Sequence, residues 1–249
     1  MTFKRLFLIV IFLLMYSSKS YAFLPIKVGV YIEPPYVNYV NNEFVGINID
    51  IIKSFAQRLN TELIYTPCPF IRCILLVKEG QIDVVVGIQK SPERAKYMQF
   101  LAQPFSIQYY PLNFYLLQDS QLTINNYNDL KKLRIGTIRG ALYFDTFDQD
   151  NALIKMPVTT YEQLIQLLLK GRIDTFPERE ESITPWLSPD NTKQQLKAAS
   201  FHFQKAVGSY FAISKKSQLV DQLQRLNDIQ QLLITSGKID EIYEKWREK

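Results

Sequence analysis

The sequence contains a single histidine, His202, and only two cysteines, and it shows no nucleophile–base pair. Catalytic triads and zinc sites both draw on histidine or several cysteines, so we expect no catalytic residue, no metal and no cofactor. After residue 22 the sequence also lacks any apolar run long enough to cross a bilayer as a helix. We therefore expect the rest of the chain to be soluble.

The N-terminus has the pattern of a secretory signal peptide. Lys4 and Arg5 precede an unbroken apolar run over residues 6–16, and residues 20–22 (SYA) show the small-x-small pattern that signal peptidase recognises. The apolar run is too short to span a membrane as a helix. We expect cleavage after Ala22 and an exported protein; a retained N-terminal anchor is the alternative.

Neither sign of charge dominates the sequence. The formal charge of +5 falls to +2 once the three cations of residues 1–22 are removed. The basic residues are scattered and interleaved with acids, as on an ordinary solvated surface. Because nucleic-acid binding needs a concentrated basic patch, we expect no nucleic-acid partner.

The two cysteines, Cys68 and Cys73, lie close together in the sequence CPFIRC. An exported protein experiences oxidising conditions, so we expect them to form a disulfide. A shared metal site is disfavoured because His202 lies far away in sequence. The closed loop is short, and its stabilising effect is expected to be modest.

The remaining sequence alternates between strand and helix patterns. Residues 26–31 and 82–88 are rich in β-branched side chains and predict buried strands, with a short strand over residues 62–66. Residues 49–59 and 71–78 carry apolar positions at helical spacing. This order predicts an α/β protein with a parallel sheet and crossover helices.

A second unit of the same kind follows. Residues 133–138 (LRIGTI) repeat the opening strand, and residues 161–169 form an amphipathic helix. The sequence GQID at residues 80–83 is matched by GRID at residues 171–174, which indicates a duplicated architecture. The C-terminal tail is predicted to be helical with a break at Gly237.

Six landmarks occur in the order found in one protein family. They are PPY at 34–36, GINIDI at 46–51, GQID at 80–83, SPER at 91–94 with Phe100 and Pro104, LKKLRIG at 130–136, and GKID at 237–240 with Trp246. The chain resembles the bacterial extracellular solute-binding proteins of family 3, the polar-amino-acid receptors of ABC importers. The resemblance covers essentially the whole chain after the signal peptide.

The resemblance implies a monomeric, two-lobed periplasmic-binding-protein fold of type II that closes over its ligand like a hinge. Each lobe would contain a mostly parallel sheet with flanking helices, and two crossover strands, near residues 107–117 and 204–213, would join the lobes. The first lobe would comprise residues 23–108 plus 207–249, and the second residues 109–206.

Arg94 is the strongest candidate for ligand binding. It follows a strand end, where open parallel sheets bind ligands, and its planar guanidinium matches a carboxylate. In the family, an arginine at this position holds the ligand's carboxylate. Gly87 allows close backbone approach, and Gln89 can donate and accept hydrogen bonds. Ser91 is predicted to cap the helix that Pro92 begins, and to offer its hydroxyl to the ligand.

Aromatic side chains are expected to form the walls of the site. The resemblance places Phe70 on one wall, with Tyr31 and Tyr36 as candidates for the opposite wall; plain core packing is the alternative for each. Arg72, two residues beyond Phe70, would face either the cleft or the solvent. Glu33 stands just before the double proline, where the family often has an aromatic residue.

The second lobe departs from the family pattern. Gly140 and Ala141 end its first strand at a position suited to anions, but Ala141 lacks the hydroxyl that the family usually has there. Arg179 stands where the family has an aspartate for the ligand's ammonium, and an arginine cannot accept a hydrogen bond. Glu178 is its neighbour in sequence.

Two ligand hypotheses follow from these departures. Either Glu33 or Glu178 receives an ammonium instead, or Arg94 and Arg179 clasp two anionic groups. We expect a small polar or anionic, amino-acid-like solute that is delivered to an ABC permease of the inner membrane. The alternatives are an enzyme like cyclohexadienyl dehydratase, with Glu33 or Glu178 as general acid, and a ligand sensor for a separate membrane partner.

Overall fold

The computed structural model of the chain describes residues 24–187 and 195–247. The strands, β1 to β13, are Ile26–Val30, Asn38–Val40, Glu43–Val45, Leu63–Pro67, Val84–Ile88, Met98–Phe100, Ser106–Gln108, Leu112–Leu117, Arg134–Ile138, Ile154–Val158, Phe176–Glu178, Leu196–Phe203 and Val207–Ser214. The α-helices, α1 to α8, are Ile47–Leu59, Phe70–Glu79, Pro92–Ala95, Asp145–Gln149, Tyr161–Leu169, Glu180–Ile183, Leu223–Thr235 and Lys238–Arg247. The predicted signal peptide and its cleavage site lie outside the described residues.

The first lobe is built on a six-stranded sheet with the order β4-β1-β5-β13-β6, and β7 also pairs with β13. Strand β1 runs parallel to β4 and β5, as predicted. Strand β13 runs antiparallel to β5, β6 and β7. The expected mostly parallel sheet is therefore parallel only on one side. The reason is that β13 returns from the second lobe and enters the sheet from the opposite end.

The second lobe combines two smaller sheets. Strand β9 pairs in parallel with β10, and a single parallel bridge joins Ile135 of β9 to Thr175, just before β11. Strand β8 lies between β11 and β12 and is antiparallel to both. In this lobe too, only some strands are parallel, namely those that pair with β9. Strands β8 and β12 pair in the antiparallel sense because they belong to the segments that enter and leave the lobe.

Two segments connect the lobes, one between β7 and β8 and the other between β12 and β13. The predicted lobe boundaries after residues 108 and 206 fall within these segments. The boundaries themselves stay a prediction, whereas the two separate groups of strands are visible in the sheet topology.

In the predicted helices, the apolar residues at helical spacing are buried, as expected. Ile51 and Phe55 of α1 are almost fully buried and pack in the core of the first lobe. Helices α7 and α8 add Leu226 and Ile242 to the same core, and Gly237 separates them, as predicted. None of the helices in the two described ranges has the length and apolar character needed to span a bilayer.

The predicted disulfide between Cys68 and Cys73 is confirmed. The two Cα atoms lie 5.4 Å apart, within the usual range for a disulfide. Cys68 follows β4 and Cys73 lies in α2, so the bond attaches the loop after the strand to the helix that follows. That helix begins with Phe70, one of the predicted wall residues.

The duplicated sequence motif forms the same interaction in both lobes. The Asp83 carboxylate accepts a hydrogen bond from the Lys27 backbone nitrogen at 2.8 Å, at the start of β1. The Asp174 carboxylate accepts from the Arg134 backbone nitrogen at 2.7 Å, at the start of β9. Each aspartate therefore holds the beginning of the first strand of its own lobe next to the strand that follows the motif.

The strands that escaped the sequence analysis include the β2–β3 hairpin, β6, β10 and β12. The hairpin is short, and its turn residues Asn41 and Asn42 adopt positive φ angles. In β12, half-buried and exposed positions alternate after Leu196, but few positions are fully buried, and a register shift between Ala198 and His202 interrupts the pairing. Short or interrupted strands carry little periodic signal, because their position depends on partners elsewhere in the chain.

Candidate functional site

A cavity of about 500 Å³ lies between the two lobes. This volume falls within the range of roughly 300–1,000 Å³ that is typical of small-molecule sites. Ten of the predicted site residues line it: Arg94, Gln89, Gly87, Phe70, Tyr36, Tyr31, Glu33, Ala141, Glu178 and Arg179. Both lobes contribute to this set, so the cavity is a cleft that the lobes enclose together.

Arg94 is the most constrained charged residue of the cleft. Ser91 caps α3 by accepting a hydrogen bond from the Arg94 backbone nitrogen at 3.2 Å, and Pro92 begins the helix, as predicted. The guanidinium is buried, with only 5% of the residue exposed. It donates to the carbonyl of Gln89 at 2.7 Å and to that of Gly140 at 2.9 Å. Because Gly140 belongs to the second lobe, Arg94 connects the lobes.

Near Arg94, the backbone at Gly87 has no side chain that would keep other groups at a distance. Gly87 has a φ angle of 85°, which is in the left-handed region, and a Cβ atom there would lie 2.5 Å from Asn48 Nδ2. Asn48 is 3% exposed and donates to the Val86 carbonyl, while its Oδ1 has no partner among the described residues. An unpaired buried oxygen in a cavity wall is a candidate acceptor for a ligand donor.

The aromatic residues lie differently from the prediction. Tyr31 does not face Phe70 across the cleft; the two rings are in edge contact, with centroids 4.8 Å apart. The reason is that Tyr31 directly follows β1 and packs with the start of α2, in the same apolar cluster. The Arg94 guanidinium lies 5.5 Å from the Phe70 ring centroid. Phe70 therefore supports Arg94 as well as lining the cavity.

A group of two carboxylates and one hydroxyl forms another part of the cleft wall. Tyr161, the first residue of α5, places its hydroxyl 3.2 Å from Glu33 Oε1 and 3.1 Å from Glu178 Oε2. Glu33 belongs to the first lobe, and Tyr161 and Glu178 belong to the second. We call Glu33, Tyr161 and Glu178 the interlobe acid cluster.

Local structure holds both acids of the interlobe acid cluster in place. The Glu33 backbone exchanges hydrogen bonds with Val37 and Tyr36 in the turn after β1. Glu178 ends β11 and accepts a hydrogen bond from the Arg179 backbone nitrogen at 2.8 Å. The backbone of Glu33 and the carboxylate of Glu178 are therefore each held by hydrogen bonds within their own lobe.

The interlobe acid cluster favours the neutral form of its acids. Burial is the main reason that the pKa of Glu178 is raised to about 7, and the neighbouring Glu33 charge raises it further. Burial also raises the pKa of Glu33, although hydrogen bonds from Tyr161 and Tyr31 and the charge of Arg179 act in the opposite direction. Two acids in one buried site cannot easily both carry a charge.

Two more buried donors face this part of the cleft. The Nε atom of Arg179 and the Nε1 atom of Trp186 are buried and have no partner among the described residues. Both residues line the cavity, and the Trp186 ring stacks on Tyr161 with centroids 5.5 Å apart. Their unpaired N–H groups are candidate donors to a ligand.

Three predicted site residues are not among those that line the cavity. Arg72 is exposed, because its position on α2 faces away from the buried side that carries Cys73 and Ile74. Ser91 uses its hydroxyl as the cap of α3. Gly140 contributes through its carbonyl, which accepts from Arg94, and its lack of a side chain leaves room for Ile71 of the first lobe.

Several cavity residues were missed by the sequence analysis, and most of them belong to the second lobe. They are Asn48, Gln108, Ile138, Leu142, Tyr143, Thr159, Thr160, Tyr161, Glu162, Ser182, Trp186 and Ser209. One signal was available for Tyr161, because it begins a helix directly after β10, and the ends of parallel strands are where such folds bind ligands. The others follow no local pattern.

Comparison with known proteins identifies the family. The sequence profile of bacterial extracellular solute-binding proteins, family 3, matches residues 26–249. The chain belongs to this family. Among its relatives, ABC transporter arginine-binding protein 1 of Escherichia coli K12 is 25% identical over 218 residues, covering 86% of each chain. The histidine-binding periplasmic protein of Salmonella typhimurium is 27% identical over 189 residues, covering 69% of this chain and 68% of the relative.

Solved structures show the same two-lobed fold for this family 3 protein. A mutant of ArgBP from T. maritima matches with a TM-score of 0.76 and 21% identity, over 91% of this chain and 96% of the other. A histidine kinase sensor domain matches with a TM-score of 0.75 and 19% identity, over 89% and 95%. An ancestral amino-acid-binding protein, described as a precursor of cyclohexadienyl dehydratase, matches with a TM-score of 0.71 and 20% identity, over 89% and 94%. At these identities the likeness shows the fold alone.

Family membership establishes solute binding as the general function of the chain. The cleft described above is lined by both lobes and has the size of a small-molecule site.

Proposed function

We propose that this protein binds a small amino-acid-like solute outside the cytoplasm and delivers it to an ABC importer. The observation that carries the proposal is the buried Arg94 guanidinium in the wall of the interlobe cavity. A guanidinium has five N–H donors, and the two backbone carbonyls that it contacts leave donors for an anionic ligand group. A carboxylate is the group that best matches its planar geometry.

The charges of the cleft favour a ligand that carries a cationic group as well. Glu33 and Glu178 lie within hydrogen-bond distance of the same hydroxyl, so an ammonium or guanidinium near them would meet two acids. Arg179 lies near both acids, and its charge lowers the pKa of each. This arrangement supports the first ligand hypothesis over a pair of arginines that clasp two anions. It also suits a basic amino acid, the ligand class named for the Escherichia coli relative.

The proposal includes a route and a partner. We infer that the chain is exported, is cleaved after Ala22 and acts as a monomer in the periplasm. The partner would be an ABC permease of the inner membrane that recognises the closed form. Closure is favoured because the solute contacts both lobes only when they are together, which is a difference in affinity between two states. Permease and ATPase genes next to the coding sequence would support uptake over signalling to a separate membrane partner.

The binding function can be tested by titration calorimetry of the exported protein with a panel of amino acids that includes arginine, histidine and glutamate. We expect at least one basic member to bind, and Arg94→Ala to weaken its affinity by about thirtyfold or more, since removing a buried charged partner costs about 2–5 kcal/mol. Arg72→Ala is the matched control, because Arg72 is exposed and lies outside the cavity lining. It should change the affinity by about twofold or less.

Two results would contradict the proposal. One is full affinity in Arg94→Ala, which would remove the proposed anion contact. The other is the absence of binding to every amino acid of the panel, which would remove the proposed solute class.

One observation favours a second function, acid catalysis in the same cleft. The pKa of Glu178, raised to about 7 by burial, suits a general acid at neutral pH, and Tyr161 holds the carboxyl in place. An elimination of the type that cyclohexadienyl dehydratase performs would use such a group. Incubation with prephenate or arogenate, with Glu178→Gln as the control, would detect the product. A lack of turnover with both compounds would leave binding as the function.

A further inference from the structure

In the interlobe acid cluster, one tyrosine hydroxyl lies within hydrogen-bond distance of two carboxyl groups. The Tyr161 hydroxyl carries one proton, so it can donate to only one carboxylate at a time. It nevertheless lies 3.2 Å from Glu33 and 3.1 Å from Glu178. Both contacts become hydrogen bonds only when one carboxyl is protonated and donates to the tyrosine oxygen. With both acids ionised, one carboxylate would face the oxygen lone pairs.

This requirement matters for closure because the cluster crosses the cleft. Tyr161 and Glu178 belong to the second lobe, and Glu33 belongs to the first. Opening the lobes separates Glu33 from the other two and exposes the acids to water. Water restores an ordinary carboxyl pKa, whereas burial in the closed cleft raises the pKa of Glu33 and of Glu178. The closed form therefore binds a proton more tightly than the open form.

We infer that Glu33, Tyr161 and Glu178 form a proton-operated latch, which holds the two lobes together in acid and releases them as the pH rises. The latch regulates the cleft to which we assign solute binding, and its biological role rests on that proposed function. Its operation requires no solute. By linkage, the ratio of closed to open protein changes by up to about tenfold for each pH unit between the two carboxyl pKa values.

The other charged and titratable groups around the cluster do not supply this pH dependence. Arg179 faces both acids, and its charge lowers the pKa of Glu33 and of Glu178. Burial raises the pKa values of Tyr31, Tyr36, Tyr143 and Tyr161 above their ordinary value, so all four hydroxyls stay protonated near neutrality. Ser182 offers a hydroxyl to Glu33 and does not titrate.

A second interlobe contact is independent of pH. Arg94 donates to the Gly140 carbonyl at 2.9 Å, and neither group changes charge between pH 5 and 9 in any ordinary environment. Burial also raises the pKa of two further second-lobe acids, Glu181 and Asp148. Asp148 accepts hydrogen bonds from the Tyr143 backbone of its own lobe, and Glu181 Oε1 has no partner among the described residues. The pH response is therefore assigned to the interlobe acid cluster, whose shared hydroxyl crosses the cleft.

The latch can be tested by small-angle X-ray scattering of the exported protein after bound solutes are removed by unfolding and refolding. We expect the radius of gyration of the wild type to fall as the pH is lowered from 9 to 5. Tyr161→Phe lacks the shared hydroxyl and should keep the larger radius at every pH. Glu178→Gln should keep the smaller radius at every pH, because the amide donates to Tyr161 without needing a proton.

Tyr127→Phe is the matched control. Tyr127 is also a second-lobe tyrosine whose hydroxyl bonds a carboxylate, that of Asp150, but it lies outside the cavity lining. It should follow the wild-type profile. The latch is overturned if the wild-type radius does not change with pH, if Tyr161→Phe follows the wild type, or if Glu178→Gln keeps the wild-type transition. A pH-dependent radius in a protein that binds no amino acid would refute the proposed function and leave the latch intact.

Discussion

The two lobes share a frame and differ in what they present to the cleft. In both lobes an isoleucine–aspartate pair precedes a strand. The aspartate accepts a hydrogen bond from a backbone nitrogen near the start of the neighbouring strand at nearly the same distance, 2.8 Å for Asp83 and 2.7 Å for Asp174. After the strand that follows, the first lobe presents the buried cation Arg94, whereas the second lobe presents the buried acid Glu178 at the end of that strand.

The comparison separates two kinds of constraint. Each aspartate contact lies within one lobe and depends on a short sequence motif. Because the motif occurs in both lobes, the same hydrogen bond forms in both. The side chains at the strand ends meet partners across the cleft, and the two lobes therefore need not resemble each other there. Arg94 meets a carbonyl of the second lobe, and the Tyr161–Glu178 pair meets Glu33 of the first.

The largest expected difference between the lobes concerns two glycines with the same φ angle of 85°, Gly87 and Gly140. In Gly87→Ala the new Cβ would lie 2.5 Å from the buried Asn48 side chain of its own lobe. Strain and overpacking together should lower the free energy of unfolding by about 2–5 kcal/mol, measured by urea denaturation.

Gly140→Ala should behave differently, because its new Cβ would lie 2.8 Å from Ile71 of the other lobe. The lobes can relieve that contact by opening, so unfolding should reflect only the backbone strain of about 1–3 kcal/mol, while solute affinity falls. Gly171→Ala has a positive φ angle and open space around it, and it measures the strain without a clash. The contrast would be contradicted if Gly87→Ala and Gly140→Ala lowered the free energy of unfolding equally and Gly140→Ala kept the wild-type solute affinity.

The shared frame predicts equal effects at the two aspartates. Asp83→Ala and Asp174→Ala should each lower the free energy of unfolding by about 1.5–3 kcal/mol, because each removes a charged acceptor from a backbone donor. Asp174 also pairs with the exposed Arg134 guanidinium, and Asp83 also accepts from the Ser217 hydroxyl. Each of these contacts is worth about 1 kcal/mol, so the difference between the variants should stay below about 1 kcal/mol. Asp119→Ala, at an exposed position, should have little effect. A marked inequality between the two variants in urea denaturation would show that the duplicated motif serves only one lobe.

The smallest expected effect is a pH dependence that belongs to the second lobe. A carboxyl whose pKa is higher in the folded than in the unfolded protein stabilises the fold at low pH, and this contribution is lost as the pH rises through the folded value. For Glu178 that value is about 7. Glu178→Gln should therefore gain about 1–3 kcal/mol relative to the wild type between pH 5 and pH 8.

Thermal or urea unfolding at both pH values measures this gain. Glu162→Gln changes an exposed acid of the same cavity and should leave the wild-type pH profile unchanged. A constant difference between Glu178→Gln and the wild type at pH 5 and pH 8 would show that Glu178 does not titrate in this range.

Much of the fold follows from patterns within about ten residues. The β-branched runs predict β1, β5 and β9, and helical spacing predicts α1 and α5. These predictions work because an element that is buried on one or both faces has apolar residues at regular intervals in its sequence. Ser91 and Pro92 predict the start of α3 by capping chemistry that needs only three or four neighbours. The short cysteine spacing and the export signal predict the disulfide for the same local reason.

The composition of the cleft is decided by tertiary structure. Local pattern identifies Arg94 as a residue after a buried strand, but not its contact with Gly140, 46 residues away. It identifies Glu33 and Glu178 as separate departures from the family pattern, but not the hydroxyl of Tyr161 between them, 128 residues from Glu33. Such contacts have no periodic trace in the chain. They arise only when the two lobes come together, and for this reason the acids and the cation form one site only in the tertiary structure.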